Sequence, residues 1–154
     1  MQTEPCMPAP LEAHLGFWLR FVSNHVSARF RQQLEANGVT LTEWVALRTL
    51  WAGSETGHAR LIQALGMTKG AASKVVSRLE AKGLVRRRST PGGTREQTLV
   101  LSESGRQWVP RLAALADAND EHFFGHLGAR ERQALMDAMQ ALVRHHQFND
   151  IPTT

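Results

Sequence analysis

Residues 66–101 read GMTKGAASKVVSRLEAKGLVRRRSTPGGTREQTLVL, and the succession of turn, helix, stop and basic hairpin in this stretch decides the fold. Gly66 suits the left-handed conformation that closes a helix, and Thr68 carries a hydroxyl able to accept from the free N–H groups that open the next one. Two helices joined so tightly make a helix-turn-helix. Beyond Thr68, the apolar residues Ala72, Val75, Val76 and Leu79 recur at i, i+3, i+4 and i+7, while Lys69, Gly70, Ser73, Lys74, Ser77 and Arg78 share the remaining surface. One face therefore packs and the other meets something polar. Gly83 stops the helix, and Val85-Arg86-Arg87-Arg88 leads through Ser89-Thr90-Pro91-Gly92-Gly93-Thr94 to Arg95 and the alternating Gln97-Thr98-Leu99-Val100-Leu101. This reads as a basic two-stranded hairpin, a wing.

Charge is concentrated in the same region. The chain has 154 residues and a formal charge of +4, yet between Arg60 and Arg95 nine basic residues face a single acid, Glu80. The remainder is net acidic, with nine basic and thirteen acidic residues. A positive field confined to an exposed helix and hairpin suits a polyanion backbone; the plainer alternative is a solvated charged face. The length suits one domain with a sizeable core that needs no staple. The lone Cys6 cannot form an intramolecular disulfide and has no Lys, Arg or His within five residues to activate it. No apolar run approaches the ~20 residues of a membrane helix, and no basic-then-apolar leader opens the chain, so a cytoplasmic protein without membrane attachment is expected.

In chain order, residues 1–10 contain Pro5, Pro8 and Pro10 and read as an extended or disordered leader. A long helix begins near Leu11, its stripe of Leu11, Leu15, Trp18, Val22, Val26, Phe30 and Leu34 running to the natural stop Asn37-Gly38. Thr42 is expected to cap the second helix, with Trp44, Leu47, Leu50 and Trp51 inward and Gly53 at its end. Residues 54–57 read as a loop, and His58 to Leu65 as the first helix of the helix-turn-helix. After the wing, Ser102 followed by Glu103 starts a fifth helix, in which Pro110 predicts a kink near the first two turns. Residues 125–128 break the pattern, and a last helix from about Ala129 carries Leu135, Met139, Leu142 and His146 along one side. The fold class is mainly α with a small β-hairpin: a winged helix-turn-helix lobe at about 42–101 and a helical dimerisation lobe at about 11–37 and 103–147, in one unit over 11–148 with a frayed tail at 149–154. The first stripe exceeds what a small neighbouring lobe can cover, so the first, fifth and sixth helices are expected to meet a second copy, and a two-fold dimer addresses half-sites about one duplex turn, ~34 Å, apart.

This pattern resembles the MarR family of winged-helix transcription regulators from about Leu11 to Phe148. The most specific part runs from Leu65 to Val85, supported by Leu41-Thr42 and by Leu101-Ser102-Glu103-Ser104-Gly105. The resemblance implies a homodimeric, sequence-specific DNA-binding regulator on a palindromic operator, a repressor released by a small molecule or an oxidant, with the recognition helix in the major groove and the wing tip near the minor groove; a small aromatic or phenolic effector is what its tryptophans would suit. It implies no cofactor and no enzymatic activity, and no nucleophile-base-acid pattern, phosphate-cradling glycine loop or metal-protease spacing competes with it. Members usually carry an aspartate two positions before the wing-tip arginine; here that pair is Gly93 and Arg95, which implies a looser wing that adds general affinity more than discrimination. The competing reading is a winged-helix protein-interaction module whose basic face meets an acidic partner.

The DNA-binding candidates are Thr68, Lys69, Gly70, Ser73, Lys74, Ser77 and Arg78 on the recognition helix, Arg86 and Arg88 on phosphates, and Arg95 in the minor groove. The wing arginines can equally protect a strand edge from aggregation. Trp18, Trp44, Trp51 and Trp108 lie on helices joining the two lobes and are candidates to line an effector pocket, the alternative being ordinary core. His122 and His126 at i, i+4 spacing, with His145-His146, lack a second strong ligand motif, so no metal site is assigned.

Overall fold

The computed structural model describes residues 7–53, 56–89 and 97–149. After a 3-10 turn at Leu11–Ala13, the helices are α1 (Leu15–Ala36), α2 (Leu41–Ala52), α3 (His58–Leu65), α4 (Lys69–Ala81), α5 (Glu103–Phe124) and α6 (Ala129–His146). The strands are β1 (Thr56–Gly57), β2 (Val85–Ser89) and β3 (Gln97–Leu101). Leader residues 1–6, including Cys6, and tail residues 150–154 lie outside the described residues.

One core holds the middle of the chain together. Leu34 and Val39 meet Leu47 and Leu50 of α2, Leu61 and Leu65 of α3, the inward side of α4, Leu99 and Leu101 of β3, and Val109 and Leu112 of α5. The aliphatic residues of α4 are buried almost completely, as their spacing requires: Ala72, Val76 and Leu79 have no exposed surface and Val75 only 2%. A polar clasp sets the register of α1 on α5. Buried Asn119 accepts from the Arg29 guanidinium at 3.0 Å and donates to the Val26 carbonyl at 3.1 Å.

Three local expectations are corrected. The first helix starts at Leu15 because the chain is extended at His14, whose φ and ψ are −101° and 127°. Thr40, two residues before Thr42, caps α2: its hydroxyl accepts from the Glu43 N–H at 3.2 Å, and the Glu43 carboxylate accepts from the Thr40 N–H at 3.0 Å. Thr40 wins because the acidic partner of a capping box stands three residues later, whereas the residue three beyond Thr42 is Val45. Residues 56 and 57 form a strand rather than loop, pairing Thr56 with Leu99 and Gly57 with Thr98, so the sheet is three-stranded in the order β1-β3-β2. The arginine-bearing β2 is thus an edge. The fifth helix contains Pro110 on its exposed side, as the sequence places it, and the missing N–H leaves the Arg106 carbonyl without its i+4 donor.

The start of α5 is locked onto the end of α4. Ser102 caps it, accepting from the Gly105 N–H at 3.0 Å while donating to the Gly83 carbonyl at 2.5 Å, and the Ser102 N–H donates to the Leu84 carbonyl at 3.0 Å. Gly83 turns the chain there at φ 71°. Gly105 is buried directly against the Leu84 carbonyl, and a Cβ at that position would collide with it.

The two ends of the chain have the opposite character. The sixth helix buries no residue, and Leu135, Met136, Met139, Leu142 and Val143 remain exposed. So do Leu15, Trp18, Leu19, Phe21 and Val22 in the first half of α1. No helix is long and apolar enough to cross a membrane among the described residues.

Gly105→Ala is expected to lower stability by about 1–3 kcal/mol, because the backbone it strikes can yield only by moving α5 away from Leu84. A urea unfolding midpoint equal to that of the wild type would show that the contact is slack.

Candidate nucleic-acid interface

The helix-turn-helix closes as its residues dictate. Gly66 takes the left-handed conformation with φ 61°, its N–H reaching the Ile62 and Gln63 carbonyls, and Thr68 accepts from the Ala71 N–H at 3.2 Å. These two caps, one residue apart, aim the N-terminus of α4 into solvent, where its unpaired N–H groups and dipole favour an anion.

With the aliphatic side of α4 sealed, its other side is presented outward. Thr68, Lys69, Gly70, Lys74, Ser77 and Arg78 are exposed, and Ser73 is half-buried between them. A Cβ built on Gly70 meets nothing within 4 Å, so nothing inside the described chain requires glycine there. An absent side chain on the outward face of a helix keeps that face low for a surface coming from outside.

The basic residues fall into three groups. Lys69 and Lys74 project from the exposed side of α4 with no ion-pair partner among the described residues. Arg78 and Lys82 turn toward α2 and converge on Glu43, which is wholly buried: Lys82 Nζ lies 2.7 Å from Oε2 and Arg78 Nε 3.3 Å from Oε1. The Arg78 contact is within ion-pair range but off the line of a hydrogen bond, so Oε1 has no hydrogen-bond donor among the described residues. Lys82 also donates to the Gly38 carbonyl at 2.6 Å, tying the end of α4 to the α1–α2 junction.

The wing base supplies the third group. Arg87 pairs with Glu80 of α4 at 2.5 Å, holding β2 against the recognition helix. Arg86 and Arg88, one residue to either side of it and two apart from each other, lie opposite Val100 and Thr98. Together with Glu103 and Arg106 of α5 the three arginines line an open cleft of about 670 Å³. Arg95 and Gly93, at the expected tip, lie outside the described residues.

The four tryptophans are not brought together within the chain. Trp18 is 49% exposed, stacks edge-on with Phe17 and donates to the Glu12 carbonyl at 2.8 Å. Trp44 packs against Phe30 with Arg48 over its ring, and Trp108 carries Arg111 in the same way. Trp51, expected inward, is 46% exposed. It borders a smaller cleft of about 220 Å³ with Leu50, Gly53, Leu101 and Arg106. Among the described residues no three potential metal ligands come together, at the histidines of α5 and α6 or elsewhere.

Glu43, Lys82 and Arg106 were not among the sequence candidates. Only Glu43 leaves a readable trace, the Thr-x-x-Glu spacing of a capping box at 40–43. The pairing of Lys82 and Arg78 with it depends on how α4 crosses α2, which no local pattern reveals.

A cationic helix held outward between a tight turn and a three-stranded sheet defines a winged helix-turn-helix protein. The comparisons narrow this class. A model described as the MarR family matches residues 37–96, the segment from the α1–α2 junction to the wing. The chain is 29% identical over 140 residues to a putative transcriptional regulatory protein for the hcr operon of Thauera aromatica, covering 87% of this chain and 81% of that one. It is 26% identical over 113 residues to the transcriptional regulator HosA of Escherichia coli O111:H-, covering 73% and 84%. The solved structure of Bordetella bronchiseptica BpsR, a protein whose DNA binding is regulated by 6-hydroxynicotinic acid, superposes with a TM-score of 0.73 at 23% identity over 94% of this chain and 100% of that one. Residues 37–96 thus match the MarR family, and over most of its length the chain is similar to transcriptional regulators.

His58, half-buried at the start of α3, has its pKa lowered, first by burial and then by the positive charges of Arg87 and Lys69. The folded state therefore binds this proton less readily than the unfolded chain, and stability present above the ordinary histidine range is lost as pH falls through it. His58→Gln is expected to flatten the decline of the urea midpoint between about pH 7 and 5. A decline as steep as in the wild type would assign it to other groups.

Proposed function

We propose that the chain is a homodimeric, sequence-specific DNA-binding repressor that acts in the cytoplasm, enters the major groove with the N-terminal half of α4, and is released by a small aromatic or phenolic effector. The observation that carries this reading is the outward face of α4: two lysines with no ion-pair partner among the described residues, two hydroxyls and an unobstructed glycine on a helix whose other side is sealed in the core. Lys69, Gly70, Ser73 and Lys74 are the base-edge and near-backbone candidates. Thr68, with the free helix N-terminus, Ser77, Arg78, Arg86 and Arg88 serve as phosphate contacts, and Arg95 as the minor-groove contact.

Two-fold association rests on the exposed apolar faces of α1 and α6, which a single chain leaves in water. In this reading the dimerisation lobe comprises 11–37 and 103–147, and the reading lobe 42–101. Effector release draws support from BpsR, whose DNA binding is regulated by 6-hydroxynicotinic acid. The cleft beside Trp51 and Arg106, with an aromatic wall and a cation, has the chemistry for such an acid.

The test is a mobility-shift titration against a duplex selected by the protein from a random pool, with scrambled duplex as competitor. Preference for the selected duplex supports the reading; equal affinity for both favours a protein-interaction module. Lys74→Ala is expected to weaken binding and to flatten the log-affinity against log-salt slope by about one, the signature of one lost phosphate neutralisation. Unchanged affinity and slope would remove Lys74 from the interface. Gly70→Ala is expected to keep or raise stability by up to about 1 kcal/mol while weakening the complex, since alanine favours the helix but fills the gap on its outer face. Full affinity in this variant would show that the duplex does not approach that closely.

A further inference from the structure

We infer that Glu43 is a positioning residue for DNA binding: from inside the protein it orients the Arg78 guanidinium, so that Arg78 meets the duplex already arranged. This rests on the reading that Arg78 touches DNA. Glu43 has no exposed surface, and a buried carboxylate is tolerated only with partners that compensate its lost hydration. Its two oxygens are served unequally. Oε2 accepts from the Thr40 N–H at 3.0 Å and from Lys82 Nζ at 2.7 Å. Among the described residues Oε1 has no hydrogen-bond donor, and its ion-pair contact is Arg78 Nε, at 3.3 Å.

Capping α2 does not account for this arrangement. The box needs one acceptor oxygen for the Thr40 N–H, which a glutamine supplies equally well. The Lys82 contact uses that same oxygen. What the second oxygen and the full negative charge add is an attraction for the Nε edge of Arg78. The Arg78 side chain is 52% exposed, and a guanidinium held along its Nε edge still has N–H donors on its terminal nitrogens to offer outward. Its long side chain thereby gives up rotamer freedom before the duplex arrives, and the ordering loss on binding is correspondingly smaller. Lys82, bridging Glu43 and the Gly38 carbonyl, keeps the carboxylate and the end of α4 in one frame.

The experiment is a double-mutant cycle read as affinity for the selected duplex over a series of salt concentrations, using the full chain as wild type, Arg78→Ala, Glu43→Gln and the double variant. Arg78→Ala is expected to weaken binding and lower the salt slope by about one. Glu43→Gln, which keeps the shape and the cap, is expected to lose a substantial part of the same affinity, and the double variant to bind no worse than Arg78→Ala alone. Wild-type affinity in Glu43→Gln beside a weakened Arg78→Ala, or losses that simply add in the double variant, would overturn the inference. Wild-type affinity and slope in Arg78→Ala would instead overturn the reading of Arg78 as a DNA contact. If circular dichroism shows Glu43→Gln to be unfolded, Arg78→Lys decides: it keeps the charge without the Nε edge, so a loss close to that of alanine supports the inference and full affinity ends it.

Discussion

The constraint from which the rest of the structure follows is the division of α4 into a sealed side and an open one. Ala72, Val75, Val76 and Leu79 fill the space between α2, α3 and the sheet, so the helix cannot roll without exposing them. Burial of that aliphatic side, at roughly 25 cal/mol per Å² of apolar surface removed from water, dictates which residues are left outside. Lys69, Gly70 and Lys74 are left in solvent because the core accepts only their neighbours. What the helix shows outside is the complement of what it packs inside.

Around this helix the remaining contacts act as stops against sliding. The Gly66 turn and the Thr68 cap set where α4 begins. Gly83 and the Ser102 hydroxyl, seated on its carbonyl, set where it ends and where α5 starts. Arg87 on Glu80 ties the wing to the helix, and Lys82 ties it to the α1–α2 junction. Each tie is local, yet together they join the outward face of α4 to α1, α2 and α5, and α1 carries one of the two exposed apolar faces.

Much of this was legible because it follows from short-range chemistry. The left-handed glycine, the threonine cap, the four-residue aliphatic repeat and the serine that opens α5 each depend on neighbours within a few positions, and each appears where the residues indicate. The misreadings share a different cause. Thr40 and Thr42 both suit a helix start, and the choice turned on a glutamate three residues downstream. The two-residue β1 has no period to detect and exists only because β3 passes alongside it. Trp51 shares the helical spacing of Leu47 and Leu50 but falls at the last turn of α2, beside a cleft rather than a neighbour. The meeting of Glu43 with Arg78 and Lys82 joins residues more than thirty positions apart. The exposed side of α4 is legible in its spacing; the carboxylate behind it is not.

The exposed apolar faces lie near opposite ends of the chain, between Leu15 and Val22 and between Leu135 and Val143, while the shared core is drawn from the stretch between Leu34 and Leu112. During synthesis on the ribosome the core can therefore be complete while the second sticky face has not yet been made. A nascent chain in that state exposes only one of the two apolar faces, so the order in which they become available is set by connectivity alone.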